Sequence, residues 1–204
     1  MTDQRTLFVG DIHGCSAEFN ELLERAEPTR VILVGDLFDK GPDPEGTWET
    51  IQSVGAESVM GNHDAYILKQ YHDEGKLLAP RAALDWLSER PKIIKDTSND
   101  PPEWLVVHGG IHPYEGEQGV SLNEAFNLRR WPDDKNLENP FWWSLYQGPP
   151  LVIYGHDALR GLVDRRPHSL GLDTGCVYGR KLTGYLLETD TLFFIPSRAC
   201  YKAV

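Results

Sequence analysis

Apolar residues in this chain come in short runs that stop abruptly at glycine or histidine. Val31-Ile-Leu-Val34 is four apolar residues in a row, the pattern of a fully buried strand, and it ends at Gly35-Asp36. Arg5-Thr-Leu-Phe-Val9 runs into Gly10-Asp11 in the same way, and Glu57-Ser-Val-Met60 into Gly61-Asn62. Trp104-Leu-Val-Val107 stops at His108-Gly109, and Leu151-Val-Ile-Tyr154 at Gly155-His156. Ile93-Ile94 pairs with the 104–107 run across the polar turn Asp96–Pro102. Between these runs the period changes. Phe19, Leu22, Leu23 and Ala26 share one face of an amphipathic helix that starts at Cys15. Asp43 as N-cap and Pro44 at the first helical position open a second helix, ending near Val54. Helical patterns follow near Ala65–His72 and Pro80–Glu89, and Ser121-Leu-Asn-Glu124 is a capping box opening a short helix. The closing stretches Leu170–Gly175, Leu182–Leu187 and Thr191–Ile195 read as a meander of strands. Strands alternating with helices, then mainly strands, predict an α/β sandwich with a mixed sheet layer and helices on both outer faces.

Composition narrows the class. At 204 residues the chain is expected to form one domain, 1–204, with a proper core. The N-terminal Met1–Arg5 is polar, and no apolar run approaches the roughly 20 residues that span a bilayer. Three cysteines with no CxxC pair give no disulfide framework and point to a reducing cytoplasm. A net charge of -11 argues against a sequence-independent grip on nucleic acid, which needs a basic surface. Bound cations could neutralise part of that charge.

The strand ends carry the chemistry. Asp11 and His13, at i and i+2, project to one side of an extended backbone and offer a carboxylate and an imidazole to a divalent metal. Asp36, Asn62, His108 and His156 complete a set of two carboxylates, one amide oxygen and three imidazoles. One octahedral ion could use all six, or two ions could share a bridging carboxylate. A nitrogen and oxygen set without thiolate suits manganese, iron or zinc better than calcium or magnesium. His63, beside Asn62, points elsewhere and is free for proton transfer. Cys15 is read as a small helix-start residue, His72 as a solvated helix end, and His112 as no closer than a support to the ligands. Phe141-Trp142-Trp143 is assigned to core or lid packing. Arg129-Arg130 fits either a solvated helix end or phosphate contacts.

The ordered set Gly10-Asp-Ile-His-Gly14, Gly35-Asp-Leu-Phe-Asp-Lys-Gly41, Gly61-Asn-His-Asp64, His108-Gly-Gly110 and Gly155-His156 resembles the calcineurin-like metallophosphoesterases. Within them it is most similar to the phosphoprotein phosphatases and their bacterial relatives, the diadenosine tetraphosphatases. The resemblance implies a four-layer α/β/β/α sandwich. It also implies a dinuclear centre: Asp11 and His13 on the first ion, Asp36 bridging, and Asn62, His108 and His156 on the second. His63 falls on the family's general acid and Asp39 on the carboxylate that orients it. The implied reaction is direct hydrolysis by a metal-activated hydroxide, with no covalent phosphoenzyme. Lys40 stands where protein phosphatases usually carry arginine, whereas diadenosine tetraphosphatases usually lack the acid at Asp39. Leu172–Thr183 is similar to the tetraphosphatases' C-terminal signature, and Arg129-Arg130 to their arginine-bearing segment. A polyphosphate chain needs cations beyond the metals, and the candidate phosphate contacts are Lys40, Arg129, Arg130 and Arg180. Three readings stand: a hydrolase of dinucleoside polyphosphates such as diadenosine tetraphosphate, a phosphomonoesterase acting on phosphoproteins, and a non-catalytic metal-binding module.

Overall fold

The computed structural model describes residues 4–203, so Met1, Thr2, Asp3 and Val204 of the polar terminus and the 1–204 span lie outside the described residues. In chain order the elements are β1 (Thr6–Val9), α1 (Ser16–Ala26), β2 (Arg30–Leu33), α2 (Pro44–Val54), β3 (Glu57–Ser58), α3 (Asn62–Glu74) and α4 (Arg81–Leu87). Then come β4 (Ile93–Lys95), β5 (Trp104–Val107), α5 (Leu122–Asn127), α6 (Trp142–Leu145), β6 (Leu151–Tyr154), β7 (Val163–Arg165), β8 (Ser169–Gly171), β9 (Lys181–Leu186) and β10 (Thr191–Pro196). They form two five-stranded mixed sheets, ordered β10-β9-β1-β2-β3 and β4-β5-β6-β8-β7.

Side-chain alternation stacks these sheets into four layers. Phe8, Ile32, Trp104, Val106 and Ile153 point inward and pack the two sheets together. Their neighbours Leu7, Val9 and Leu33 point outward into a core shared with α1 to α4. Leu105, Val107, Val152 and Tyr154 face α5 and α6 on the other side, around the fully buried Trp142. Both faces of each central strand are therefore buried, which is why the sequence shows apolar runs and not alternation.

The structure corrects several boundaries. Strand β2 covers residues 30–33, and Val34 leaves the ladder, although its amide still reaches Val9 O at 3.1 Å. Strand β3 is two residues long, since the Met60 amide turns to Pro91 O at 3.0 Å. Helix α3 begins at Asn62, earlier than the apolar pattern implies, because the Asp64 carboxylate accepts the Gly61 amide at 3.0 Å and starts the first turn. The closing stretches are not one meander. Strand β8 joins the second sheet parallel to β6, whereas β9 and β10 run antiparallel in the first. Strand β7, absent from the sequence reading, pairs antiparallel with β8.

Parallel pairing then decides where the site lies. Strands β1, β2 and β3 run parallel in one sheet, and β5, β6 and β8 in the other. The segments leaving their C-terminal ends carry Asp11, Asp36 and Asn62, the last at the start of α3, from one sheet and His108, His156 and Asp173 from the other. Such an edge is the usual place for a ligand site in parallel sheets.

Candidate metal centre and substrate cleft

Asp36 is the hub. Its backbone holds a left-handed φ of 57°, which Asp tolerates better than most residues. Asp64 fixes that backbone by accepting the amides of Asp36 at 2.8 Å and Leu37 at 2.9 Å. The two carboxylate oxygens of Asp36 then face opposite ways. Oδ2 lies 3.5 Å from His13 Nε2, and Oδ1 lies 3.4 Å from His108 Nε2. Ligand atoms of Asp11, Asp36 and His108 fall within 4.8 Å of one another, all buried. Gly61 and Gly155 let these groups approach, since a Cβ on either would collide with an oxygen of Asp36 or Asp11 respectively.

Each imidazole has its outer nitrogen occupied. His108 Nδ1 donates to Val34 O at 2.8 Å, and His156 Nε2 donates to Asn127 O at 3.1 Å. His13 Nδ1 is paired with Asp39 Oδ1 at 2.8 Å. The inner nitrogens therefore carry the lone pairs, the arrangement that tunes histidine for a metal. His108 Nε2 and His156 Nδ1 converge on Asn62 Oδ1 at 2.9 and 3.0 Å. Burial holds the pKa of both His108 and His156 below the usual range, keeping them neutral. The acids do the reverse. Burial, then the charges of Asp173 and Asp36, push Asp11 well up, and burial pushes Asp173 to about 6. Burial and then Asp36 take Asp64 to about 7. Neutral imidazoles beside crowded, buried carboxylates are a donor set that fits divalent cations.

Asp39 is shared. Its second oxygen, Oδ2, lies 2.8 Å from His63 Nδ1, so one carboxylate serves both His13 and His63. Burial opposes ionisation of Asp39, but the hydrogen bonds from His13 and His63 outweigh it and hold the carboxyl below its usual range. Burial likewise opposes protonation of His63, but the Asp39 hydrogen bond and the charges of Asp36 and Asp39 together outweigh it, raising the imidazole pKa. His63 Nε2 faces outward and meets Lys40 Nζ at 2.8 Å.

Outside this cup a cleft of about 470 Å³ is lined by His13, Asp36, Lys40, His63 and His156 at its base. Arg129, Arg130, Arg160 and Arg180 stand further out with Phe141 and Tyr178. Arg129 reaches His156 O at 3.4 Å, and Arg180 reaches Ala158 O at 2.8 Å. The guanidinium groups of Arg130 and Arg160 lie over the Phe141 ring, at 4.2 and 4.8 Å from its centre. The aromatic triplet is thus divided. Trp142 is core, donating from Nε1 to Gly109 O at 3.1 Å, while Phe141 lines the cleft and stacks on Trp143.

All six candidate ligands, His63, Asp39 and the four candidate phosphate contacts therefore gather around one cleft. His112 instead accepts the Glu115 amide at 3.0 Å and packs on Trp131, and His72 is exposed. Sequence reasoning left Asp64, Asp173, Tyr178 and Arg160 without a role and assigned Phe141 to core or lid packing. The signal for Asp64 was its place as an acid at the third position of a helix opening just after a strand. Asp173 stood within the Leu172–Thr183 stretch, two residues past a strand.

A family model for calcineurin-like phosphoesterases matches residues 4–188. The chain belongs to the calcineurin-like phosphoesterase family. It is accordingly a hydrolase of phosphoric ester or anhydride bonds, and the family implies divalent metal ions. A Chromohalobacter salexigens protein named bis(5'-nucleosyl)-tetraphosphatase, symmetrical, is 28% identical, covering 95% of this chain and 98% of its own length. A Coxiella burnetii protein of the same name is 26% identical, covering 98% of this chain and 94% of its own length. A crystal structure described as that of a candidate diadenosine tetraphosphatase superposes with a TM-score of 0.87 at 31% identity, covering 96% of this chain and 95% of that one. The Chromohalobacter alignment runs over 268 positions against 204 residues here, so that relative carries internal segments that this phosphoesterase lacks.

Proposed function

We propose that this phosphoesterase hydrolyses dinucleoside polyphosphates of the diadenosine tetraphosphate type, acting in the cytoplasm as a single domain with two divalent ions, manganese foremost and iron or zinc as alternatives. In this reading Asp11 and His13 hold one ion, Asp36 bridges, and Asn62, His108 and His156 hold the other. Bound ions supply Lewis acidity that activates water and neutralises phosphoryl oxygens. The chain supplies the rest. Asp39 holds the inner nitrogen of His63 and so turns Nε2 toward the cleft, where His63 donates a proton to the leaving oxygen. Lys40 Nζ stands against that nitrogen, and an arriving phosphoryl group takes up the ammonium's hydrogens and frees Nε2 to carry its proton. Arg129, Arg130 and Arg180 take the remaining phosphates of the chain.

The observation that carries this reading is the continuity of the ligand cup with a cleft holding four arginines, more cationic donors than one phosphoryl group can use. The names borne by the relatives agree with it. Purified enzyme supplied with Mn²⁺ should hydrolyse diadenosine tetraphosphate with a kcat/KM well above those for a phosphopeptide panel and for p-nitrophenyl phosphate. A preference for the phosphopeptides would return the protein to the phosphomonoesterase reading. No hydrolysis of any of the three would leave a metal-binding module.

A further inference from the structure

Within the apolar core under α1 lies a group of polar side chains that the hydrolytic site does not use. Cys15 is the N-cap residue of α1, Glu18 sits in its first turn, and Cys176 is in the loop between β8 and β9. All three are buried, with Cys15 and Glu18 at 0% exposure and Cys176 at 1%. Two thiol sulfurs and a carboxylate oxygen lie within 4.8 Å of one another. Small apolar packing would account for the cysteines. It does not account for a glutamate.

Glu18 is half satisfied. Its Oε1 accepts the Arg198 amide at 2.8 Å and the Tyr201 hydroxyl at 2.9 Å. Its Oε2 is buried and, among the described residues, has no hydrogen-bond partner. A buried acceptor without a donor is costly, and more so when it carries charge. The thiols offer little help, since Cys15 Sγ turns to His13 O at 3.9 Å. The neighbouring Cys15 thiol, then burial, push Cys176 well above the usual thiol range. Three acidic groups crowd one apolar space, and among the described residues no cationic side chain pairs with any of them.

We propose that Cys15, Glu18 and Cys176 form a second metal site, a thiolate–carboxylate pocket for a borderline divalent cation of the zinc class. Two sulfurs and one carboxylate oxygen are three ligands of a four-coordinate zinc shell, with a water or a local oxygen for the fourth. Binding displaces one proton from each thiol to solvent, leaving two thiolates and a carboxylate around the dication. The ion joins three stretches of chain: the turn that carries His13, the loop that carries Asp173, and the Arg198–Tyr201 segment bonded to Glu18. It therefore positions both sides of the hydrolytic cup without touching substrate.

Cobalt(II) separates this site from the hydrolytic one, because only thiolate ligands give a sulfur-to-cobalt charge-transfer band in the near ultraviolet, and the cup contains no cysteine. Titrating the intact apoprotein should develop that band to the amplitude of one thiolate-bound cobalt per chain, saturating by the third equivalent because the cup takes two ions of its own, with Zn²⁺ bleaching it. The band should persist in Cys200→Ser, disappear in Cys176→Ser, and require more cobalt in Glu18→Gln. The wild-type titration stands even if a variant fails to fold. Absence of the band in wild type, or its loss in Cys200→Ser with survival in Cys176→Ser, overturns the proposal. So does a Cys15–Cys176 disulfide mapped by peptide mass in protein purified without reductant, which would make the pair a redox couple.

Discussion

Asp36 and His108 have side chains 2% and 0% exposed, whereas Arg129 and Arg160 on the cleft rim are 40% and 47% exposed. The cup is fixed from behind: Asp64 grips the backbone of Asp36, and backbone carbonyls hold the far nitrogens of His108 and His156. The rim hangs from loops, and its arginines are tied by single carbonyls, long ion pairs to Asp134 and Asp157, and the face of Phe141. Reaction geometry needs tolerances well under an ångström, which buried strand ends provide. Recognition of a flexible phosphate chain needs donors that can follow it. The two regions divide bond cleavage from substrate choice, and each can be damaged without the other.

The largest loss should come from the hub. Asp36→Asn keeps a side chain that tolerates the left-handed backbone but removes the charge that the two proposed ions would share. Turnover should fall by at least about 10³-fold, several kcal/mol of transition-state stabilisation, with lower metal content by elemental analysis. Asp43→Asn, at the N-cap of α2 where Asp43 accepts the Gly46 amide at 2.9 Å, should change neither. Undiminished metal and activity in Asp36→Asn would remove Asp36 from the centre.

His63→Ala should retain its metal and lose about 10²–10⁴ in kcat. A good leaving group needs little protonation, so p-nitrophenyl phosphate should suffer less than substrates with poor leaving groups. Equal losses across a leaving-group series would leave His63 as a phosphate contact only. Asp39→Asn touches both halves of the cup, through His13 and His63, and should cost roughly 10–100-fold in metal affinity or activity. A pure activity loss with unchanged metal affinity would confine its role to His63.

At the rim, Arg129→Ala, Arg130→Ala or Arg180→Ala each removes a charge-assisted contact, about 1.5–3 kcal/mol or roughly 10- to 150-fold in kcat/KM for diadenosine tetraphosphate. The loss on p-nitrophenyl phosphate, with its one phosphoryl group, should be smaller. Parallel losses on both substrates would erase the distinction between rim and cup. The mildest effect concerns stability. Asp11, Asp64 and Asp173 have raised pKa values, to about 7 for Asp64 and about 6 for Asp173. Without ions their repulsion is relieved by protons in acid and grows as pH rises through those values. Ions also compete with protons for Asp11. The rise in Tm on adding Mn²⁺ to chelated protein should therefore be larger near about pH 8 than near about pH 6, by scanning calorimetry. An equal rise at both would mean the acids do not face the ions.

The convergence of the candidate ligands was legible in sequence because each follows a strand, and parallel strands in a sandwich deliver their C-terminal ends to one edge. The local argument for Asp11 and His13 was wrong in detail. His13 is not extended but left-handed, with φ 47°, and it enters the cup because its amide turns back to Asp36 O at 2.8 Å. Asp64 escaped because its work is done on the backbone of another segment, a contact no local pattern records. Asp173 escaped because its strand, β8, belongs to the second sheet, and sheet membership is a long-range choice. Phe141 looked like core because it shares the composition of Trp142; only the pairing of Arg130 with Phe141 as an isolated bridge turns it toward the cleft.

Among the described residues, four of the six non-glycine positions with positive φ are His13, Asp36, Lys40 and His156. Left-handed backbone costs roughly 1–2 kcal/mol at an ordinary residue, and three buried, crowded carboxylates add to that burden. Catalysis thus keeps the chain below the stability its fold could reach. Copies released from selection for turnover would gain robustness by replacing these very residues, glycine at the left-handed positions and neutral side chains at the acids. Among descendants of this sequence, unusual thermal stability together with an intact sandwich would mark an enzyme that has retired, and marginal stability one still at work.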